Sequence, residues 1–330
     1  MRYILLLATA LALAGCDHTA PFAMTEPEPQ GPASDDLPRQ LTFNPGADRD
    51  PSATAKLIVY TQIPVGRSDR DACVAALPPE GGTLTALHCP GGSQPDDRQD
   101  SWLYPTVSPD GRMAYLWEWA QIGGIVPTGR MLRIAAPERP DSILFEQLPF
   151  FTLPDGRRVT AIRDLMWDEA GRVRFVAGID SYSVNNGVWD TTFVPFTLAT
   201  LDPVDGTYQP LSGSDGAYTH LTASGGVWFV TAAEPNQLRR RAADGTVTTV
   251  ATFARAVSRL GEIAGAPAAL QLTPDSVLLE RIDPATGAPT GVYAVAGRAN
   301  GLAGIPGTAR FVLEMERNRG RDLWLHEWPQ

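Results

Sequence analysis

The chain has 330 residues, 43% of them hydrophobic and 19% charged, with 31 glycines, 29 prolines and three cysteines. Its formal charge of −10 argues against a nucleic-acid partner, because that binding needs a basic surface to displace counterions from phosphates. Plentiful glycine and proline with modest charge, over about 290 residues behind a distinct leader, suit an array of short strands better than one ordinary core.

The leader reads MRYILLLATALALAGC. Arg2, an apolar run from Ile4 to Ala14 and small residues before a cysteine form a secretory pattern, and the run is too short to span a bilayer. Leu13-Ala14-Gly15-Cys16 resembles the lipobox of bacterial lipoproteins. The resemblance implies a signal peptide over 1–15 that is removed, leaving Cys16 as a lipidated N-terminus. Several acyl chains, at about 0.8 kcal/mol per buried methylene, would then hold the protein on a membrane. The expected address is the cell envelope, facing the periplasm or the exterior. Asp17 resembles the inner-membrane retention signal of enteric bacteria, a rule that varies between bacterial groups, so the leaflet stays open. Residues 16–38 follow as a tether. Asp17 to Pro38 carries five prolines, five acidic residues and no lysine or arginine. Such a segment cannot bury enough to fold, and at about 3.1 Å per residue it reaches up to about 70 Å.

The folded part is expected over 39–330. Setting Cys16 aside leaves Cys73 and Cys89, an even pair in an oxidising compartment. Between them ALPPEGGTLTALH reads as a hairpin turning near Gly81, which sets the two cysteines opposite one another at disulfide distance. A redox pair activated by His88 is the weaker reading, because neighbouring strand residues face opposite ways.

One unit recurs along the chain. TVSPDGRMAYLW from Thr106 aligns with MWDEAGRVRFVA from Met166, HLTASGGVWFVT from His220 and AGIPGTARFVLE from Ala303. The shared glycines are Gly111, Gly171, Gly225 and Gly307, and EIAGAPAALQL from Glu262 is a weaker copy with Gly265. Spacings of roughly 40 to 60 residues are those of propeller blades. Each copy is followed by a second hairpin signal such as DPVDG, AADG or DPATG, whose Asp, Pro and Gly suit tight turns. The expected fold is therefore an all-β, six-bladed β-propeller of four-stranded antiparallel blades. These lie at about 46–90, 100–150, 160–212, 217–254, 256–297 and 298–328. The last unit lacks a fourth strand, and PRQLTFN, Pro38 to Asn44, is free to complete it and cover an open edge. In ATFARAVSRLGEIAG, the residues Phe253, Val257, Leu260 and Ala264 share one helical face, so a helix over 251–264 is an alternative to a strand.

Ser108-Pro109-Asp110-Gly111, after an apolar strand and before Arg112, resembles the WD40-like repeat of TolB-type periplasmic six-bladed propellers, as does the closing DLWLHEW. The other copies read Asp168-Glu169-Ala170-Gly171, Thr222-Ala223-Ser224-Gly225 and Gly304-Ile305-Pro306-Gly307. The likeness implies the fold and no particular member, since this architecture also serves peptidase gating domains, lactonases and dehydrogenases.

In a propeller the innermost strands line a channel, so one column of the repeat forms a ring. Counting back from the turn glycines gives Tyr104, Asp164, Tyr218, Ser258 and Asn300, with Arg163, His220 and Arg259 beside them. These are candidates for a channel-mouth binding face for a peptide, sugar or cation; equally, they hydrogen-bond strand ends and trapped water. No catalytic residues emerge. The folded part's histidines, His88, His220 and His326, have no metal-ligand spacing, and no Gly-x-Ser-x-Gly elbow occurs. Asp48, Arg49 and Asp50 do not fit a calcium loop, and Arg239 to Arg241 read as solvated edge residues. Lactonase-like propellers bind a channel metal through Glu, Asn and Asp from different blades; a resemblance to them would make Asp164 and Asn300 two of the donors, and no third is evident. The preferred expectation is a non-enzymatic, monomeric envelope lipoprotein that binds a protein or peptide, with no cofactor beyond the lipid on Cys16. Trp117, Trp119, Trp324 and Trp328 are candidate interface aromatics. The alternative is a channel-site hydrolase or lactonase dependent on a divalent cation such as Ca²⁺.

Overall fold

A computed structural model describes residues 36–43, 46–64, 71–90, 98–121, 129–136, 139–185, 188–223, 226–317 and 320–329. Cys16, the signal segment, most of the tether and the Ser224-Gly225 turn lie outside the described residues.

Among the described residues the regular structure is all β. In chain order the strands begin with β1 (Arg39–Gln40), β2 (Ala47–Ala53), β3 (Ile58–Ile63), β4 (Cys73–Leu77) and β5 (Ala86–His88). Next come β6 (Arg98–Val107), β7 (Met113–Gln121), β8 (Gly129–Ala136) and β9 (Arg139–Gln147), then a short hairpin of β10 (Phe151–Thr152) and β11 (Arg158–Val159) that the repeat did not announce. β12 (Ala161–Trp167), β13 (Val173–Asn185), β14 (Val188–Leu201) and β15 (Tyr208–Pro210) follow, with β16 (Ala217–Ala223), β17 (Gly226–Thr231), β18 (Glu234–Arg241) and β19 (Val247–Thr252). The series ends with β20 (Val257–Ile263), β21 (Ala266–Leu272), β22 (Ser276–Ile282), β23 (Pro289–Ala296), β24 (Arg298–Gly304), β25 (Arg310–Arg317) and β26 (Gly320–Glu327).

Four sheets are four-stranded antiparallel meanders, β6 to β9, β12 to β15, β16 to β19 and β20 to β23. They occupy the stretches that the repeat marks. A larger sheet joins β2 to β5 with β24 to β26 through a single parallel pair, Ala47 with Arg321. β1 lies antiparallel on β26, Arg39 opposite Leu325 and Gln40 opposite Trp324. The ladder continues as Leu41 N–H donates to the Leu323 carbonyl at 2.8 Å and Leu323 N–H to Thr42 Oγ1 at 2.9 Å. The segment 251–264, for which a helix was the alternative, holds the end of β19, a turn and β20.

Successive residues of a strand face opposite sides, and here each side is buried against a different set of strands. On β13, Phe175 joins a cluster with Leu116 and Ile134, whereas Val176 joins one with Val227 and Phe229. On β3, Val59 packs with Trp102 and Tyr115, while its neighbour Tyr60 packs with Val312 and Leu325. Burial on both faces explains why YLW, RFV and WFV lack the alternation of a half-exposed strand. Six strands adjoin in turn: β2 with β6, β6 with β12, β12 with β16, β16 with β20, β20 with β24, and β24 with β2 of the same larger sheet.

Two copies of the recurring turn share one structure. In Ser108 to Arg112 and again in Asp168 to Arg172 the first residue's N–H donates to the fifth residue's carbonyl, at 2.8 and 2.9 Å, and the glycine N–H returns to the first residue's carbonyl at 3.0 Å in both. Gly111 and Gly171 sit at φ of 89° and 73°, a backbone conformation that glycine adopts without a Cβ penalty. Cys73 and Cys89 form a disulfide with Cα atoms 4.2 Å apart, continuing the β4–β5 register in which Val74 faces His88.

Candidate functional site

Every first strand breaks its pairing at the same level. In β2, β6 and β12 the break skips two residues, Asp50-Pro51, Tyr104-Pro105 and Asp164-Leu165. Asp50, Tyr104 and Asp164 take φ of 52°, 53° and 54°. A left-handed conformation costs a residue with a Cβ about 1–2 kcal/mol, and its recurrence in three sheets marks a built ring. In β16, β20 and β24 one residue is skipped, namely Tyr218, Ser258 and Asn300.

Arg259 stands at the centre of the ring. Its Nη1 donates to Asp164 Oδ1 at 2.7 Å, and its Nη2 lies 3.5 Å from Asp50 Oδ1. The second oxygen of Asp164 accepts the His220 backbone N–H at 3.0 Å and lies 3.2 Å from His220 Nδ1, on a fully buried imidazole. Burial works against the charge of Asp164, but the Arg259 guanidinium and then His220 outweigh it and hold its pKa down at about 2. Asp50 is pushed the other way: burial raises its pKa, and Arg259 is the largest of the cations opposing this. Asp50 N–H donates to Glu314 Oε2 at 3.0 Å, and Glu314 is paired with Arg321 at 2.8 Å. Burial, then the charge of Asp50, raises Glu314.

The ring separates two cavities. The wider, about 590 Å³, is bounded by the recurring turns, with walls from Met166, Trp167, Leu221, Leu260 and Leu302 and carboxylates from Asp168, Glu169 and Glu262. Asp168 is bonded to Arg172 and Arg174. Burial, and then the charge of Glu169, raises the pKa of Glu262. The narrower cavity, about 260 Å³, lies among β2, β3, β6, β7, β8, β12, β13 and β14. Asp50 and Tyr104 line both.

Of the residues expected at the channel mouth, Tyr104, Asp164 and Arg259 line the wider cavity and Arg163 the narrower. Arg163 donates to Asp180 Oδ1 at 3.1 Å and lies 4.9 Å above the Tyr104 ring. His220 backs Asp164 from the buried side. Three expectations are corrected. The Tyr218 hydroxyl donates to the Val257 carbonyl between two sheets, and burial lifts its pKa to about 12. Ser258 Oγ donates to the Leu270 carbonyl at 3.1 Å, and Asn300 Nδ2 to Glu316 Oε1 at 3.0 Å. None of the three lines either cavity; their neighbours Arg259 and Gly301 do. Asp50, Glu314 and Arg321 were not anticipated as ring members. The pairing of Asp50-Pro51 with Tyr104-Pro105 was the available signal.

The donors considered for a channel metal are engaged elsewhere, Asp164 by Arg259 and His220, Asn300 by Glu316. Among the described residues no group of three or more His, Cys, Asp or Glu is placed to hold a metal ion, and no helix is long and apolar enough to cross a membrane. The Trp117 and Trp119 rings lie 4.5 Å apart, tilted by 38°, and Trp328 packs into the core beside Tyr293.

No protein-family model matches the chain, and no curated protein matches it. Among solved structures the chain is similar to regucalcin, a calcium-binding protein of Agrobacterium tumefaciens (TM-score 0.53, 14% identity, 88% of this chain and 93% of that one). It is similar to a gluconolactonase of Xanthomonas campestris (TM-score 0.52, 12% identity, 89% and 99%). It is also similar to the Swd1 β-propeller domain of Myceliophteria thermophila (TM-score 0.52, 9% identity, 87% and 99%). At such identities these likenesses speak to the scaffold alone: the chain has a β-propeller fold.

Proposed function

We propose that the chain is a cell-envelope lipoprotein, held to a membrane through Cys16, whose propeller has six blades and binds a protein or peptide in the wider cavity. The closure we infer is β1 completing the sheet of β24 to β26, and its support is the Arg39 to Thr42 ladder on β26. The lipid anchor rests on the residues Leu13 to Cys16 alone.

One observation carries the binding reading. At the level of the ring the axial carboxylates already face a guanidinium or a backbone N–H, whereas the 590 Å³ space beside them is walled by apolar side chains and rimmed by Glu169 and Glu262. That lining suits an apolar segment carrying neutral or basic groups, in a cavity of ordinary ligand-site size. A cation-dependent hydrolase or lactonase needs ligands that Arg259 occupies here, so the proposal routes no chemistry through a metal.

The test is a photo-crosslinking residue placed at Glu169, at Glu262 and, as a control, at Val204 in an outer turn, 93% exposed, in the lipidated protein within its native envelope. A discrete adduct from the two cavity positions and none from Val204 is expected. No cavity adduct, or the same adducts from all three positions, contradicts the reading.

A further inference from the structure

The narrower cavity is made by departures from the repeat. β13 and β14 run for 13 and 14 residues, against 6 and 8 in β17 and β18. The extension starts at a bulge between Ala177 and Gly178 and carries Asp180, Tyr182 and Thr191 into the cavity wall. Two glycines make this possible. A Cβ at Gly178 would lie 2.2 Å from the Val194 carbonyl oxygen and 2.9 Å from the Phe193 ring. One at Gly129 would lie 1.9 Å from the Trp119 indole, so Gly129 seats that ring in the wall.

The lining is polar and charge-balanced. Arg49, Arg130 and Arg163 face Asp50, Glu118 and Asp180. Arg130 pairs with Glu118 at 2.7 Å, binds Asp180, and donates to the Thr160 carbonyl at 2.9 Å. The Arg130 and Asp180 side chains are 8% and 2% exposed. The network has capacity left: among the described residues Arg163 makes one side-chain hydrogen bond, of the five donors a guanidinium carries. Gln99 and Thr191 also line the space, with Trp119 and Tyr182 offering aromatic faces.

We propose that this cavity is a second binding site, distinct from the wider mouth, and that it takes a neutral polyhydroxylated molecule of sugar size. Hydroxyls both donate and accept, so they match a wall of guanidinium, carboxylate, amide and hydroxyl groups, while the ring's C–H face packs on Trp119 or Tyr182. A charged ligand would leave an unbalanced charge among ions that neutralise one another, at a large desolvation cost. The cavity is smaller than those that hold drug-sized ligands, about 300–1,000 Å³.

Ligand-observed NMR with D-glucose, N-acetyl-D-glucosamine, D-glucosamine and D-glucose 6-phosphate, each to about 10 mM, tests this on the full chain. At least one neutral sugar should bind with a Kd of about 1 mM or tighter, and the charged pair at least about tenfold more weakly. The double variant Gln99→Leu/Thr191→Val should weaken binding about tenfold without changing Tm, and Gly129→Ala, which displaces Trp119, should also weaken it about tenfold. Absence of neutral-sugar binding, equal binding of the charged derivatives, or binding unaffected in both variants would overturn the proposal. Crosslinking at Glu169 and Glu262 reports on the other mouth and is unaffected by any of these outcomes.

Discussion

Strands β2, β6 and β12, early in the chain, and β16, β20 and β24, late in it, treat the axis differently. In β2, β6 and β12 two residues drop out of register and the first adopts a left-handed backbone, which turns Asp50, Tyr104 and Asp164 toward the cavities. In β16, β20 and β24 only one residue is skipped, and Tyr218, Ser258 and Asn300 turn instead to a neighbouring sheet or strand. A bulge bends its strand and re-aims side chains, so the same column of the repeat supplies a charged ring from one half and structural hydrogen bonds from the other. The last half contributes to the axis mainly through Arg259, whose cation answers carboxylates from the first half.

Removing that cation should break the arrangement most. Arg259→Ala leaves Asp164 and Asp50 facing each other across the ring, and loss of one partner of an enclosed ion pair costs about 3 kcal/mol, read by urea unfolding at neutral pH. Next comes Asp164→Asn, at about 2 kcal/mol. Its carboxyl has a folded pKa of about 2 against an ordinary 3.8, so its contribution is complete above about pH 4 and is lost as pH falls toward 2. The variant's stability curve should lose that step. Asp50→Asn sharpens the contrast within the first half, because burial raises the Asp50 pKa. A carboxyl raised in this way opposes folding once ionised, so the variant should be at least as stable as the parent at neutral pH and should lack the gain in stability that the parent shows as pH falls. Ser258→Ala and Asn300→Ala should cost about 1 kcal/mol or less each, since each removes one partly buried hydrogen bond.

The repeat in the sequence located the sheets because the inner strands are apolar on both faces and the turns need glycine at φ near 70–90°. The glycine requirement recurs at Gly111, Gly171, Gly265 and Gly307 and so leaves a pattern. The level of the ring was legible for the same reason, as Asp164 and Tyr104 illustrate. The side-chain directions were not. Whether a bulge skips one residue or two is decided by three-dimensional pairing, and that choice replaces Ser258 by Arg259 and Asn300 by Gly301 at the cavity. Glu314 and Arg321 come from second and third strands, outside the column that the repeat aligns. The narrow cavity was invisible because it is built from an over-long hairpin and from Gly129 and Gly178, features that occur once.

The proposed closure requires the first and last strands to meet, so the most direct measurement is amide exchange at Leu41. Its N–H donates to the Leu323 carbonyl at 2.8 Å, and with β1 as an integral part of the last sheet it should exchange as slowly as Val312, a fully buried core residue, only on global unfolding. Exchange of Leu41 at the rate of a fraying end, while Val312 stays protected, would contradict the proposed closure.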